Sequence, residues 1–266
     1  MDKTRPTRFL ESVKRIFRMF FAVGLKARRT KVFYLISLIP ILLATLIKLS
    51  LYLSGRDITG IYIFSNVIMA FFLQFLILIL ALFFGTSICS EELEGKTLTY
   101  LTTRPIPKSA VLLGKFAAYY LMAVLMTALG IIFAFLILNI DTLGDLGIYR
   151  ILFRDLAVLS LGLLCYMAFF TLMGTFLKKS IMFGLLFSFG WENVIQYFPG
   201  STQKFAIVHY LKSLLPVSTS ERFSFLLFRL EPTPPAAAIG VLLFLTALFL
   251  TLACVLFSSK EYILQD

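Results

Sequence analysis

An all-α integral membrane fold is predicted by three features of this 266-residue sequence. Its residues are 59% hydrophobic, only 15% are charged, and the apolar ones gather into long runs. Soluble domains carry an apolar share nearer half, whereas a hydrocarbon core is crossed by about 20 apolar helical residues. The mean hydropathy of +0.92 agrees with that class. Phe supplies 29 residues against one Trp, so lipid-facing bulk is plentiful and no Trp girdle marks the interfaces.

The first element, residues 1–31, is predicted as an amphipathic interfacial helix. Phe9, Leu10, Val13, Ile16, Phe17, Phe20 and Phe21 recur at helical spacing, with Arg8, Lys14, Arg15 and Arg18 between them. Ten of the 25 Lys and Arg residues fall within the first 32 positions. A net charge of +11 concentrated beside an apolar run favours anionic membrane lipids over nucleic acid. The next apolar run exceeds 20 residues and has no small-x-small cleavage site, so it is not read as a signal peptide.

Residues 32–266 are read as a single membrane domain with six spans, at about 32–53, 61–89, 110–138, 155–177, 180–198 and 235–258. The fifth is the weakest, because the polar pair Glu192-Asn193 comes after only ten residues from Ile181 to Gly190, and Pro199-Gly200 breaks the helix soon after. The sixth opens on Pro234-Pro235, suited to a first helical turn. Counting Lys and Arg outside the spans and at their ends gives 17 on the side of the amino terminus and 8 on the other. Both termini are therefore expected on the cytoplasmic side. In the long connection 199–234, stretches 205–215 and 223–230 are too short to span and are expected to form re-entrant or interfacial helices on the outer side.

Between the second and third spans lies SEELEGKTLTY, residues 90–100. Its Gly95-Lys96-Thr97 evokes a phosphate-binding loop, but Ser90 stands where that loop needs its first Gly. Glu91, Glu92 and Glu94 would also repel a triphosphate that Lys96 alone must hold. A second enzymatic reading compares Glu91-Glu92-x-x-x-Lys96 with the Glu-Glu-x-x-x-Arg motif of intramembrane CAAX-type proteases. Those glutamates work with two histidines, and this chain has only His209, in the outer connection. The physical reading is a short helix over about 90–102, capped by Ser90, with carboxylates in its first turn and Glu92 four residues before Lys96. Leu93, Leu98, Tyr100 and Leu101 give it an apolar side, and Arg104-Pro-Ile-Pro-Lys108 turns the chain back toward the membrane.

These residues, with Leu112-Leu-Gly114-Lys115-Phe116, resemble the membrane subunits of type 2 ATP-binding-cassette (ABC-2) exporters over about 28 positions. The resemblance implies a permease with an amino-terminal elbow helix, six spans, a cytoplasmic coupling helix at 90–102 and re-entrant helices before the sixth span. It places Glu91, Glu92, Glu94, Lys96, Thr97, Arg104, Pro105 and Lys108 in the coupling region. Glu92 would contact the ATPase and Pro105 would set the turn. It further implies two ATPase subunits carrying ATP and Mg, a second copy of this chain or a related permease, no catalytic residue or cofactor on this chain, and a bacterial or archaeal cytoplasmic (inner) membrane. The alternatives are an intramembrane CAAX-type protease and an ATP-independent channel or secondary transporter, and cargo is not fixed by fold.

Within the apolar runs, Glu192 between Trp191 and Asn193 is the conspicuous charge, since an unpartnered one is costly in a bilayer. It either lines the pathway or caps a re-entrant turn. Asp141, Asp145 and Asp155 are expected as interfacial charges, and Gly130, Gly162, Gly174 and Gly184 as points of close helix approach. Cys89, Cys165 and Cys254 are dispersed in apolar surroundings and read as core fillers; no metal or nucleic-acid constellation is present in the sequence.

Overall fold

The computed structural model describes residues 5–55, 58–94, 107–177, 179–195, 201–215 and 233–259, and among these every regular element is helical. Helix α1 is Arg5–Lys26, and after a bend at Ala27 come α2, Arg28–Ser37, and α3, Ile39–Ser54. Pro40 in the first turn of α3 explains the interruption at Leu38, within the expected first span, because proline donates no backbone hydrogen bond. Helix α4 covers 60–94, its α-helical pieces joined by π-helical turns at Phe64–Ile68 and Phe72–Leu76. Helices α5, Lys108–Leu138, and α6, Leu146–Phe176, are long and unbroken. Then come α7, Ser180–Ile195, α8, Ile207–Leu214, and α9, Pro235–Ser259.

Among the described residues five helical stretches are long and apolar enough to cross a membrane: Thr30–Ser54, Gly60–Cys89, Lys108–Leu138, Leu146–Phe176 and Pro235–Ser259. The fourth starts nine residues earlier than the sequence implied, because Asp145 caps it by accepting from the Gly147 N–H at 2.8 Å. Of the segment expected as a fifth span, the described helix covers Ser180–Ile195, about 24 Å at ~1.5 Å per residue, and residues 196–198 lie outside the described residues.

Helix α6 is the centre of the bundle and runs beside α4, α5 and α9. Its buried face, including Leu159, Leu163, Tyr166, Met167 and Phe170, joins a continuous core with Phe72, Leu76 and Leu80 of α4 and Met126 and Phe135 of α5. The glycines act where expected. A Cβ on Gly174 would sit 3.2 Å from the Thr86 carbonyl oxygen, and one on Gly130 2.9 Å from that of Ser37. Gly60 joins them without a signal in the sequence. A Cβ there would overlap the Leu138 carbonyl oxygen and lie 2.7 Å from its carbon, so only glycine lets α4 begin against the end of α5. Gly60→Ala is expected to cost about 1–3 kcal/mol through this backbone overlap. A detergent melting temperature equal to the parent's would refute that account.

The apolar stripe of α1 is not left for lipid alone. It closes on the first half of α5, with Ile16 at Gly114, Phe20 at Tyr119 and Gly24 at Met122, while Lys14, Arg15 and Arg18 stay exposed. Lys48 of α3 pairs with Asp141, at the far end of α5. Asp155, expected at an interface, is buried in α6, because its helix begins well before it and carries it inside the bundle.

Candidate functional site

Two regions of the bundle hold the residues that the sequence singled out. The first is the end where α4 leaves and α5 enters. Helix α4 passes Gly174 of α6 at Thr86 and continues without a break through Glu94. Ser90 is therefore not the cap of a separate helix: no glycine or proline interrupts the chain there, and Glu91, Glu92 and Glu94 are carried on an extension of the span itself. Lys96, Thr97, Arg104 and Pro105 lie outside the described residues, as does most of the expected 90–102 helix. Lys108 is the first residue of α5 and is half-buried.

Directly beyond it, Gly114 and Lys115 form the seat for α1. A Cβ on Gly114 would lie 2.8 Å from Ile16 Cγ2 and 3.0 Å from the Val13 carbonyl oxygen. Lys115 is buried, and its Nζ stands 4.5 Å from the centre of the Phe20 ring, a cation–π contact. The Leu-Leu-Gly-Lys pattern was legible in the sequence; its use as a docking seat was not, because the partner residues are about a hundred positions away.

The second region lies midway along α6. Helix α7 runs antiparallel to α6, with Gly184 beside Phe170 and the Phe187 ring 4.4 Å from that of Phe169. A π-helical turn over Phe187–Glu192, near the end of α7, delivers Glu192 to Tyr166. The carboxylate is 1% exposed and fully engaged. Tyr166 Oη donates to Oε2 at 3.0 Å, the Ile207 N–H donates to Oε1 at 3.1 Å, and the Val208 N–H donates to Oε2 at 3.2 Å. Both amides belong to the first turn of α8, whose early N–H groups have no partner within the helix.

Helix α8 then continues along α6 from Tyr166 toward its beginning, with Leu211 against Gly162 and the Leu214 carbonyl held by the Arg154 guanidinium, whose Nε donates at 2.9 Å. Among the described residues neither α7 nor α8 alone has the length of a bilayer crossing. End to end beside α6 they cover about 36 Å at ~1.5 Å per residue, a broken track with Glu192 at the joint. The half of α8 nearer α9 is tied by Ser213, whose Oγ donates to the His209 carbonyl at 2.9 Å and accepts the Thr233 N–H at 3.2 Å. His209 Nε2 stands 3.0 Å from Thr233 Oγ1.

Trp191, by contrast, is 50% exposed, and Asn193 Nδ2 donates locally to the Ser188 carbonyl at 3.1 Å. Of the trio predicted from sequence, Glu192 makes the hydrogen bonds of the joint described above. Sequence reasoning missed Arg154 and Tyr166. A lone arginine or tyrosine near a span end has many ordinary explanations, and the 12-residue separation that matches the two ends of α8 has no meaning until α8 is placed.

His209 sits on α8, whereas Glu91 and Glu92 emerge beyond Gly174 at the opposite end of α6, so the histidine is not placed to complete a protease site. Among the described residues no group of three or more His, Cys, Asp or Glu is arranged to hold a metal ion.

No curated protein matches the chain significantly. A family model described as ABC-2 family transporter protein matches residues 24–191, more than half of the chain, from the end of α1 to the turn that presents Glu192. This multi-pass membrane protein therefore belongs to the ABC-2 transporter family, as a transport subunit and not an enzyme.

Proposed function

We propose that the chain is the permease of an ATP-driven exporter, providing half of a translocation pathway and receiving motion from separate ATPase subunits through the acidic extension of α4. The observation that carries this reading is the family match across residues 24–191, which includes that extension and the seat of α1 on α5. Two ATPases binding ATP and Mg, and a second copy of this chain or a related permease, complete the assembly. Six crossings per subunit result if α7 and α8 are counted as one broken span, which keeps both termini on the cytoplasmic side of the inner membrane but draws 207–214, expected as an outer re-entrant or interfacial helix, into the fifth crossing; the companion stretch 223–230 lies outside the described residues.

The extension of α4 suits a docking element. It stays helical past the apolar part of the span, so force applied to Glu91, Glu92 and Glu94 reaches the bundle core through a rod with no hinge at Ser90. Expression of the tagged chain in its native host is expected to recover an ATPase subunit bearing a phosphate-binding loop, in equal amount, by affinity purification in mild detergent. Recovery of the chain alone, with full activity of any measured kind, would instead support a channel or secondary transporter.

A further inference from the structure

We propose that Glu192 and Tyr166 at one end, and Arg154 at the other, form a two-ended charge clamp that positions helix α8, making all three positioning residues of the pathway. Its functional consequence rests on the permease reading; the clamp itself does not.

An eight-residue helix is a poor structure in an apolar setting. Its first four N–H groups and last four carbonyls lack intrahelical partners, and without water each must find another partner or carry a large penalty. Helix α8 finds its partners as charges of the right sign. The Glu192 carboxylate meets the positive end of the helix dipole through the Ile207 and Val208 amides, and the Arg154 guanidinium meets the negative end through the Leu214 carbonyl.

The template is α6. Arg154 and Tyr166 project from it 12 residues apart, about 18 Å, a span that brackets an eight-residue helix of about 12 Å together with the reach of the two side chains. Between them Gly162 removes the side chain that would meet Leu211 at 2.8 Å, so α8 can settle onto α6. The π-helical turn at Phe187–Glu192 carries one extra residue and so rotates the residues after it by about 100° relative to a regular helix. That turn brings Glu192 to the joint and leaves its neighbour Trp191 facing outward. Every carboxylate bond of Glu192 is internal and its side chain is covered, so it serves the position of α8.

The test is hydrogen exchange of the full-length chain in lipid nanodiscs, with and without its ATPase. In Glu192→Gln, amide exchange over 207–214 is expected to rise more than tenfold, while 115–138 and 235–259 stay within twofold of the parent. Arg154→Gln is expected to raise exchange over the second half of α8, with partial restoration in Arg154→Lys. If Glu192→Gln does not assemble, Tyr166→Phe removes one hydrogen bond without changing shape, and about a threefold rise confined to 207–209 is expected. Unchanged exchange over 207–214 in the assembled Glu192→Gln or Tyr166→Phe protein would overturn the clamp. Absence of any ATPase partner would overturn the permease reading and leave the exchange result to decide the clamp alone.

Discussion

Glu92→Arg is expected to abolish substrate-stimulated ATP hydrolysis and export while the protein still inserts in the membrane and folds. Helix α4 runs unbroken from Ile77 to Glu94, and position 92 lies past Cys89, where the stretch able to cross the membrane ends. A substitution there changes the sign of one charge in a cluster of three carboxylates, Glu91, Glu92 and Glu94. If that cluster meets basic groups on an ATPase, a repulsion replaces an attraction, and losing a desolvated interfacial charge contact costs about 2–5 kcal/mol. That corresponds to a fall in ATPase affinity of about 30-fold or more. The measurements are ATPase activity of the purified complex with and without cargo, and retention of the ATPase during gel filtration. Stimulated activity equal to the parent's would sink the coupling role of Glu92.

How much of this is legible without the structure depends on the range of the forces involved. Membrane class, span positions and the helix-start proline at 235 are local consequences of composition and periodicity, and over the described residues they agree with the structure to within a few residues except at the start of the fourth span. The fourth span begins earlier than the sequence suggests because Arg150, Arg154 and Asp155 look like the charged flank of a helix. Arg154 in fact reaches across to the end of α8, and Asp155 is drawn into the core, so the helix starts before them. The fifth is described as far as Ile195, in keeping with the expected helix up to that point, and what the sequence does not reveal is why its charge is tolerated. The partners that make Glu192 tolerable, Tyr166 and the amides of Ile207 and Val208, lie 26, 15 and 16 residues away. Such pairings are invisible to a window that slides along the chain. A separate coupling helix is suggested by a serine with good capping chemistry, but capping preference only matters where a helix already ends, and nothing between Ile77 and Glu94 ends this one.

Gly114→Leu is expected to release α1 from α5, and it is the substitution that separates a family signature from its physical cause. The Leu-Leu-Gly-Lys pattern at 112–115 can be regarded as a label of the family, yet the geometry gives each of its last two residues a task. A side chain at 114 would begin 2.8 Å from Ile16 Cγ2 and 2.9 Å from Ile16 Cβ, and 3.0 Å from the Val13 carbonyl oxygen. The isoleucine tip can rotate, but the carbonyl belongs to a helix backbone and cannot move without α1 moving. Displacement also strips Phe20 from Lys115, leaving a buried ammonium without that ring contact, which adds to the overpacking cost of about 1–3 kcal/mol. The expected results are a fall in melting temperature of about 5 °C and at least tenfold faster tryptic cleavage after Lys14, Arg15 or Arg18. Gly240 supplies the control, because a Cβ there meets nothing within 4 Å, and Gly240→Leu should leave both readouts unchanged. Equal protease resistance of the two variants would mean that α1 is held by its basic residues at the lipid surface and not by its seat on α5. A difference confined to Gly114 would establish that the glycine is kept for contact between helices, so that α1 moves with α5 as one body.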